Sequence, residues 1–215
     1  MKLLHTVFHP KGEGPHPTIL AMHGRGANAL DLMGIAPYIG KGRYLMICPQ
    51  APLEVSLGPG EVGYAWFSSS GPGQAGVEAI LSARDQLKEF IDECRGRLPI
   101  DPARFVVLGF SQGGVMAYGL ALEEPKRFAA LVAMSSRLDP GLLERLPAAA
   151  SARSLPTLIQ HGSNDSMIPV DRAREASAAL KRLSVPVTYH EYPMGHEISG
   201  RTLNDLSDWL AEKVP

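Results

Sequence analysis

The sequence predicts an α/β fold, a mostly parallel sheet with helices on both faces and no separate cap domain. Three observations predict it. Short, continuous apolar runs rich in β-branched residues alternate with longer segments of helical periodicity. Several of those runs end at Gly or His-Gly, the punctuation expected where a strand gives way to a loop. The chain has 215 residues, enough for one domain, 1–215, to bury a large core without disulfides or a structural metal.

The strands come first. Thr18 to Met22, Phe105 to Leu108 and Thr157 to Ile159 are continuous apolar runs of the length that suits strands covered on both faces. Tyr44 to Cys48, Phe128 to Met134 and Val187 to Tyr192 bring the expected core to six strands. Helical spacing of apolar residues marks about Val77 to Arg97, through Ile80, Leu81, Leu87, Ile91 and Cys94. Further helices are expected from about Gly114 to Glu123, Arg172 to Leu183 and Thr202 to Val214. Strands alternating with helices imply right-handed crossovers and a parallel sheet. Pro49 to Gly76 breaks the rhythm. It is dense in Pro, Gly and Ser and reads as a long loop carrying Trp66 and Phe67. The stretch from Arg137 to Leu155 is too short for a cap domain.

Bulk properties narrow the function classes. The formal charge of -1 offers no broad field for nucleic acid or an anionic membrane, so a small, roughly neutral partner fits better. Cys48 and Cys94 lie far apart without CxxC spacing, which argues for neither a disulfide framework nor a zinc site; both read as buried small hydrophobes. No apolar run is long enough for a signal or a bilayer span. A soluble, cytoplasmic protein without stable membrane insertion is expected.

The strongest chemical signal is Gly109-Phe110-Ser111-Gln112-Gly113, a GxSxG directly after an apolar strand and before a helix. In a nucleophile elbow the turn is so sharp that residues two before and two after the serine must be small. Ser111 would then project at the carboxyl edge of the sheet, beside a helix N-terminus that favours developing negative charge. The bland alternative is a serine capping an ordinary helix.

A serine hydroxyl needs a base, and the base an orienting acid. The general template for this elbow runs Ser, then Asp or Glu, then His. Asp165, in His161-Gly162-Ser163-Asn164-Asp165, follows one strand; His196 follows another, and both would lie on loops at the same edge. Competitors are His161 as base and Asp171 as acid, but Asp171 before Arg172 reads better as a helix cap. His190 sits within a strand pattern, and His5, His9 and His16 in an N-terminal hairpin-like, solvated region. For the oxyanion hole, the backbone N–H of Gln112 is the first candidate donor and that of Arg25, in His23-Gly24-Arg25-Gly26, the second. The same loop matches GxGxxA, a dinucleotide-binding pattern. Cys48-Pro49-Gln50 at the end of the next strand lacks the acidic residue that reading needs. A non-catalytic binding module on the same fold is the remaining rival.

The ordered set "LAMHGRGAN", "ICPQAP", "AWF", "GFSQGG", "HGSND.MIPV" and "GHEIS" resembles the phospholipase/carboxylesterase group of α/β-hydrolases, which includes acyl-protein thioesterases. The resemblance covers nearly the whole chain. It implies a Ser111-His196-Asp165 triad, an oxyanion hole at Arg25 and Gln112, ester or thioester substrates, and no cofactor or metal. Where the family usually has an apolar residue, an Asp and an Asp, this chain has Arg25, Asn28 and Ser68. These departures weigh against long-chain acyl-protein or lipid substrates. A serine carboxylesterase acting on short to medium acyl chains is the leading expectation. Acyl-thioesterase or lysophospholipase-type, peptidase and lactone-hydrolase activities would use the same apparatus. Leu30, Met33, Trp66, Phe67, Met167 and Ile168 are candidates for the acyl pocket because their loops border the same edge, with core packing the alternative for each. Exposed apolar loops around an uncapped site would support a homodimer.

Overall fold

The computed structural model describes residues 3–68, 76–145 and 152–215. Its main sheet has seven strands in the order β1-β3-β2-β6-β7-β8-β9. These are β1 (His5–Phe8), β2 (His16–Met22), β3 (Leu45–Pro49), β6 (Ile100–Phe110), β7 (Ala130–Met134), β8 (Thr157–Gly162) and β9 (Val187–Tyr192). All neighbours pair parallel except β1, which runs antiparallel to β3. The six expected strands are present, and β1 is a seventh that the sequence reading assigned to a hairpin-like region. His16 is correspondingly not solvated: it opens β2 opposite Ile100 of β6 and is 9% exposed.

Alternation along the strands divides the core in two. Leu20, Met22, Ile47, Phe105, Val107 and Leu131 face α1 (Val77–Arg95), α2 (Gln112–Glu123) and α4 (Asp171–Arg182). Their sequence neighbours Ile19, Ala21, Met46, Val106, Leu108 and Val132 face α5 (Gly200–Lys213) and a 3₁₀ segment over Leu32–Gly42. A strand buried on both faces has no polar side to show, which is why these runs are continuously apolar. The helix after Ser111, α2, is buried along nearly its whole length. It is therefore a fixed post, not a surface helix.

Pro49 to Gly76 is not the structureless loop expected of its composition. It holds a two-stranded hairpin, β4 (Leu53–Gly58) and β5 (Glu61–Ala65). The rest of the element order follows, with a short α3 (Pro140–Glu144) that periodicity could not reveal in five residues. Asp171 is the first residue of α4 and not its cap, and it instead accepts a hydrogen bond from Arg174. Both cysteines are buried thiols, and burial pushes each up to about 12.

Candidate active site

Ser111 sits between β6 and α2 with φ 54° and ψ -118°, a conformation that costs a non-glycine residue about 1–3 kcal/mol. The surroundings hold it there. Its N–H donates to Met134 O at 2.9 Å, and its own carbonyl accepts from Ser136 Oγ at 2.7 Å. A Cβ on Gly109 would lie 2.1 Å from Gly113 O, and one on Gly113 would lie 2.0 Å from Met22 O. The elbow thus fits only because both flanking residues lack side chains.

Asp165 and His196 come from loops after β8 and β9. His196 Nδ1 lies 2.7 Å from Asp165 Oδ2, while Asp165 Oδ1 accepts from the N–H groups of Met167 (2.9 Å) and Ile168 (2.8 Å). Burial alone would raise the Asp165 carboxyl; the Ile168 N–H, His196 and the Met167 N–H outweigh it and hold it below the usual carboxylate range. With Nδ1 committed, His196 has Nε2 left to act. Its ring stands 4.9 Å from that of Phe110, the residue before Ser111. His196 and the turn that carries Ser111 are therefore neighbours. His161, the rival base, is fully buried; its Nε2 lies 2.8 Å from Ile168 O and 3.3 Å from Asp165 Oδ2. It braces the loop that carries Asp165.

The loop His23 to Gly26 closes on Ser111 from the other side. A Cβ on Gly24 would be 3.2 Å from Ser111 Cβ. His23 is buried, with Nδ1 2.7 Å from Gly24 O and Nε2 accepting from Ala51 N–H at 3.1 Å. The Ala51 donor leaves the ring proton on Nδ1, and burial lowers the pKa of the imidazole. In a planar trans peptide, C=O and N–H point in opposite directions. Anchoring Gly24 O on His23 therefore turns the Arg25 N–H away from that anchor.

Sequence reasoning missed the clamp that ties these parts together. Gln112 Oε1 accepts from Trp66 N–H (2.8 Å), Gln112 Nε2 donates to Phe67 O (2.9 Å), and Trp66 Nε1 donates to His23 O (2.9 Å). Gly26 N–H donates to Tyr64 O, and Tyr64 N–H to Ala27 O. The end of the β4–β5 hairpin is thus bonded to both segments that carry candidate oxyanion donors. Trp66 and Phe67, at 1% and 3% exposure, pack in the core; of the two readings open for them, packing is the one their side chains follow. Met33 is half-buried against the opposite core, whereas Leu30 and Met167 are exposed. Met167 and Ile168 both line a groove beside Asp165. Arg25 is exposed; Asn28 Oδ1 accepts from Leu30 N–H and shapes the loop. Among the described residues no cluster of three metal-ligating side chains occurs.

A mostly parallel sheet that places a strained serine, a His-Asp pair and a glycine-rich loop on one edge defines the α/β-hydrolase class. Within that class the chain belongs to the phospholipase/carboxylesterase family, whose sequence profile matches residues 5–214. Lysophospholipase-like protein 1 of Mus musculus is 30% identical over 169 residues, 78% of this chain and 70% of that protein. Acyl-protein thioesterase 1 of Gibberella zeae is 24% identical, covering 92% and 91%. The crystal structure of the Bacillus cereus carboxylesterase superposes with a TM-score of 0.83 at 20% identity, over 99% of this chain and 95% of that one. The protein is a hydrolase. Among the described residues, no helix is long and apolar enough to cross a membrane.

Proposed function

We propose that the protein is a serine carboxylesterase working through an acyl-enzyme, with Ser111 as nucleophile, His196 as general base and Asp165 as orienting acid. The observation that carries this reading is the 2.7 Å bond between His196 and an Asp165 whose second oxygen is already taken by two backbone amides. Such an acid is fixed and ionised, and it keeps the imidazole proton on Nδ1 so that Nε2 is free to accept. His196 Nε2 takes the Ser111 proton as Oγ attacks the ester carbonyl carbon. The resulting oxyanion is held by the N–H groups of Gln112 and Arg25. Gln112 begins α2, where the first amides lack intrahelical partners. The intermediate collapses by expelling the alkoxide, which leaves as alcohol with the proton from His196. Water then repeats the sequence on the acyl-enzyme, releasing the acid and restoring Ser111.

The same steps cleave a thioester with a thiol as leaving group, a reading supported by the relative named acyl-protein thioesterase 1. Exposed Leu30 and Leu57, the latter 3.2 Å from a Cβ placed on Gly26, support an accessible pocket for short to medium acyl chains. Exposed Leu53, Leu57 and Val62 on the hairpin support a homodimer, and two buried cysteines that form no disulfide fit a reducing cytoplasm. The chain then acts as one catalytic unit.

The test is initial-rate hydrolysis of p-nitrophenyl esters from acetate to palmitate by wild type and Ser111→Ala. Turnover peaking at short to medium chains, with thermal unfolding unchanged and activity abolished in the variant, is expected. Retained turnover in a clean Ser111→Ala preparation would sink the assignment.

A further inference from the structure

Beside the acid loop lies a groove of about 590 Å³ whose lining combines apolar side chains with two arginines. Val77, Leu138 and Ile168 supply apolar surface; Arg137 and Arg172 supply guanidinium groups. It adjoins the catalytic residues directly. Arg137 follows Ser136, whose hydroxyl bonds the Ser111 carbonyl, and Met167 and Ile168 are the residues whose amides hold Asp165.

The acids nearest the groove are already committed. Asp139, the acidic residue in the lining, has Oδ1 accepting from the N–H groups of Gly141 and Leu142, and its Oδ2 accepts from Arg137 Nη1 at 2.9 Å. That bond uses one of the five donors of Arg137 and fixes the guanidinium, whose side chain is only 25% exposed. Arg172 stands at the outer end in an exposed pair with Glu175, which solvent screens. Each guanidinium has one carboxylate partner, and what the groove offers an anion is the set of N–H donors that the single Asp139 bond leaves on Arg137.

We propose that this groove selects substrates carrying an anion, a carboxylate or phosphate, on the part of the ester that lies along it, with Arg137 as the residue that reads the charge. This rests on the esterase reading of the neighbouring Ser111. A planar fork pre-set by Asp139 meets a carboxylate or phosphate without a further ordering cost. The apolar walls accept the methylenes that link that anion to the scissile bond. Arg172 at the rim strengthens capture through its field and is screened by salt.

The experiment compares kcat/KM for esters matched in length and differing in charge. One pair puts the anion on the acyl side, mono-p-nitrophenyl glutarate against p-nitrophenyl valerate; the other puts it on the leaving side, 4-(butyryloxy)benzoate against its methyl ester. Wild type, Arg137→Met, Arg137→Lys and the exposed Arg172→Met are assayed at low and high salt. The anionic-to-neutral ratio in at least one pair is expected to fall about tenfold or more in Arg137→Met, the size of one charge-assisted hydrogen bond. Arg137→Lys should recover part of it, and Arg172→Met should lower it less and only at low salt. The pair that responds assigns the groove to the acyl or the leaving side. A ratio unmoved in both pairs by Arg137→Met overturns the proposal, whatever Arg172→Met does, while neutral-ester turnover leaves the esterase reading standing. Turnover that survives Ser111→Ala would overturn the esterase reading instead.

Discussion

The chain uses the dipeptide His-Gly twice at the carboxyl edge of its sheet, His23-Gly24 after β2 and His161-Gly162 at the end of β8, and puts the two copies to different uses. Both histidines are buried, and both hold a backbone carbonyl of a site loop. At His23 the carbonyl is that of the next residue, and the second ring nitrogen is satisfied by Ala51 N–H. At His161 the carbonyl is seven residues away, at Ile168, with Asp165 Oδ2 also close. The second nitrogen, Nδ1, has no hydrogen-bond partner among the described residues. The glycines divide similarly. A Cβ on Gly24 would be 3.2 Å from the side chain of Ser111, whereas one on Gly162 would be 2.2 Å from the backbone of Gly195, next to His196. One copy orients a peptide group; the other lets two loops touch. An identical two-residue signal therefore carries no role until its neighbours are known.

Several substitutions would break or sharpen that contrast. The largest loss is expected from Asp165→Asn, about 10⁴ in kcat with little change in KM: the two backbone amides keep the side-chain oxygen, so the NH2 donates to His196 Nδ1 and leaves the ring proton on Nε2, the wrong tautomer to accept from Ser111; stopped-flow burst kinetics would measure it. Gly162→Ala comes next. Its Cβ would drive into Gly195 backbone, so a kcat loss of about a hundredfold and about 1–3 kcal/mol of destabilisation are expected. Gly24→Ala, with only side-chain atoms at 3.2 Å and beyond, should cost about tenfold or less. Equal losses in the two glycine variants would erase the distinction between the loops.

His23→Leu should lower kcat by about a hundredfold while leaving KM near wild type, since the Arg25 N–H loses its aim. His161→Leu should lower kcat by about tenfold, because two amides still hold Asp165. Each should cost about 1–3 kcal/mol in urea unfolding through the polar groups left unpaired. The smallest effect is one of acid stability on the β8–β9 side, where Glu191 pairs in register with His161. Arg174, then Tyr189, hold its carboxyl down at about 2 from 4.5. A depressed carboxylate pKa contributes stability that is present above 4.5 and lost as pH falls through about 2. The pair is largely solvent-screened, so Glu191→Gln should cost no more than about 1 kcal/mol near pH 7, a difference that shrinks in melts repeated toward pH 2.

What could be read directly from the chain was whatever strong local constraints impose. The buried parallel strands were legible because burial on both faces forces a continuous apolar run. The elbow was legible because its geometry tolerates almost nothing but glycine around Ser111. The β4–β5 hairpin was not, because Pro, Gly and Ser mask its alternation, and its role comes from bonds to Gly26, Ala27 and Gln112 far away in sequence. Strand β1 was missed for a related reason: four half-buried residues at a sheet edge leave almost no periodic trace. The assignment of Asp171 as a cap failed because Asp-before-helix is a common local preference that Arg174 outbid.

The sequence by itself determined the class of fold, the order of its main strands and helices, and the candidate nucleophile, acid and base, since each is written in periodicity or in a short, sterically strict motif. Only the tertiary structure decided that His23 and His161 brace different loops, that Trp66 and Gln112 form a clamp, and that Arg137 lines a groove beside the acid. The clamp arises from hydrogen bonds between residues tens of positions apart, and even the short-range bonds of His23, His161 and Arg137 take their roles from which loops the whole fold brings beside them, which no local pattern encodes.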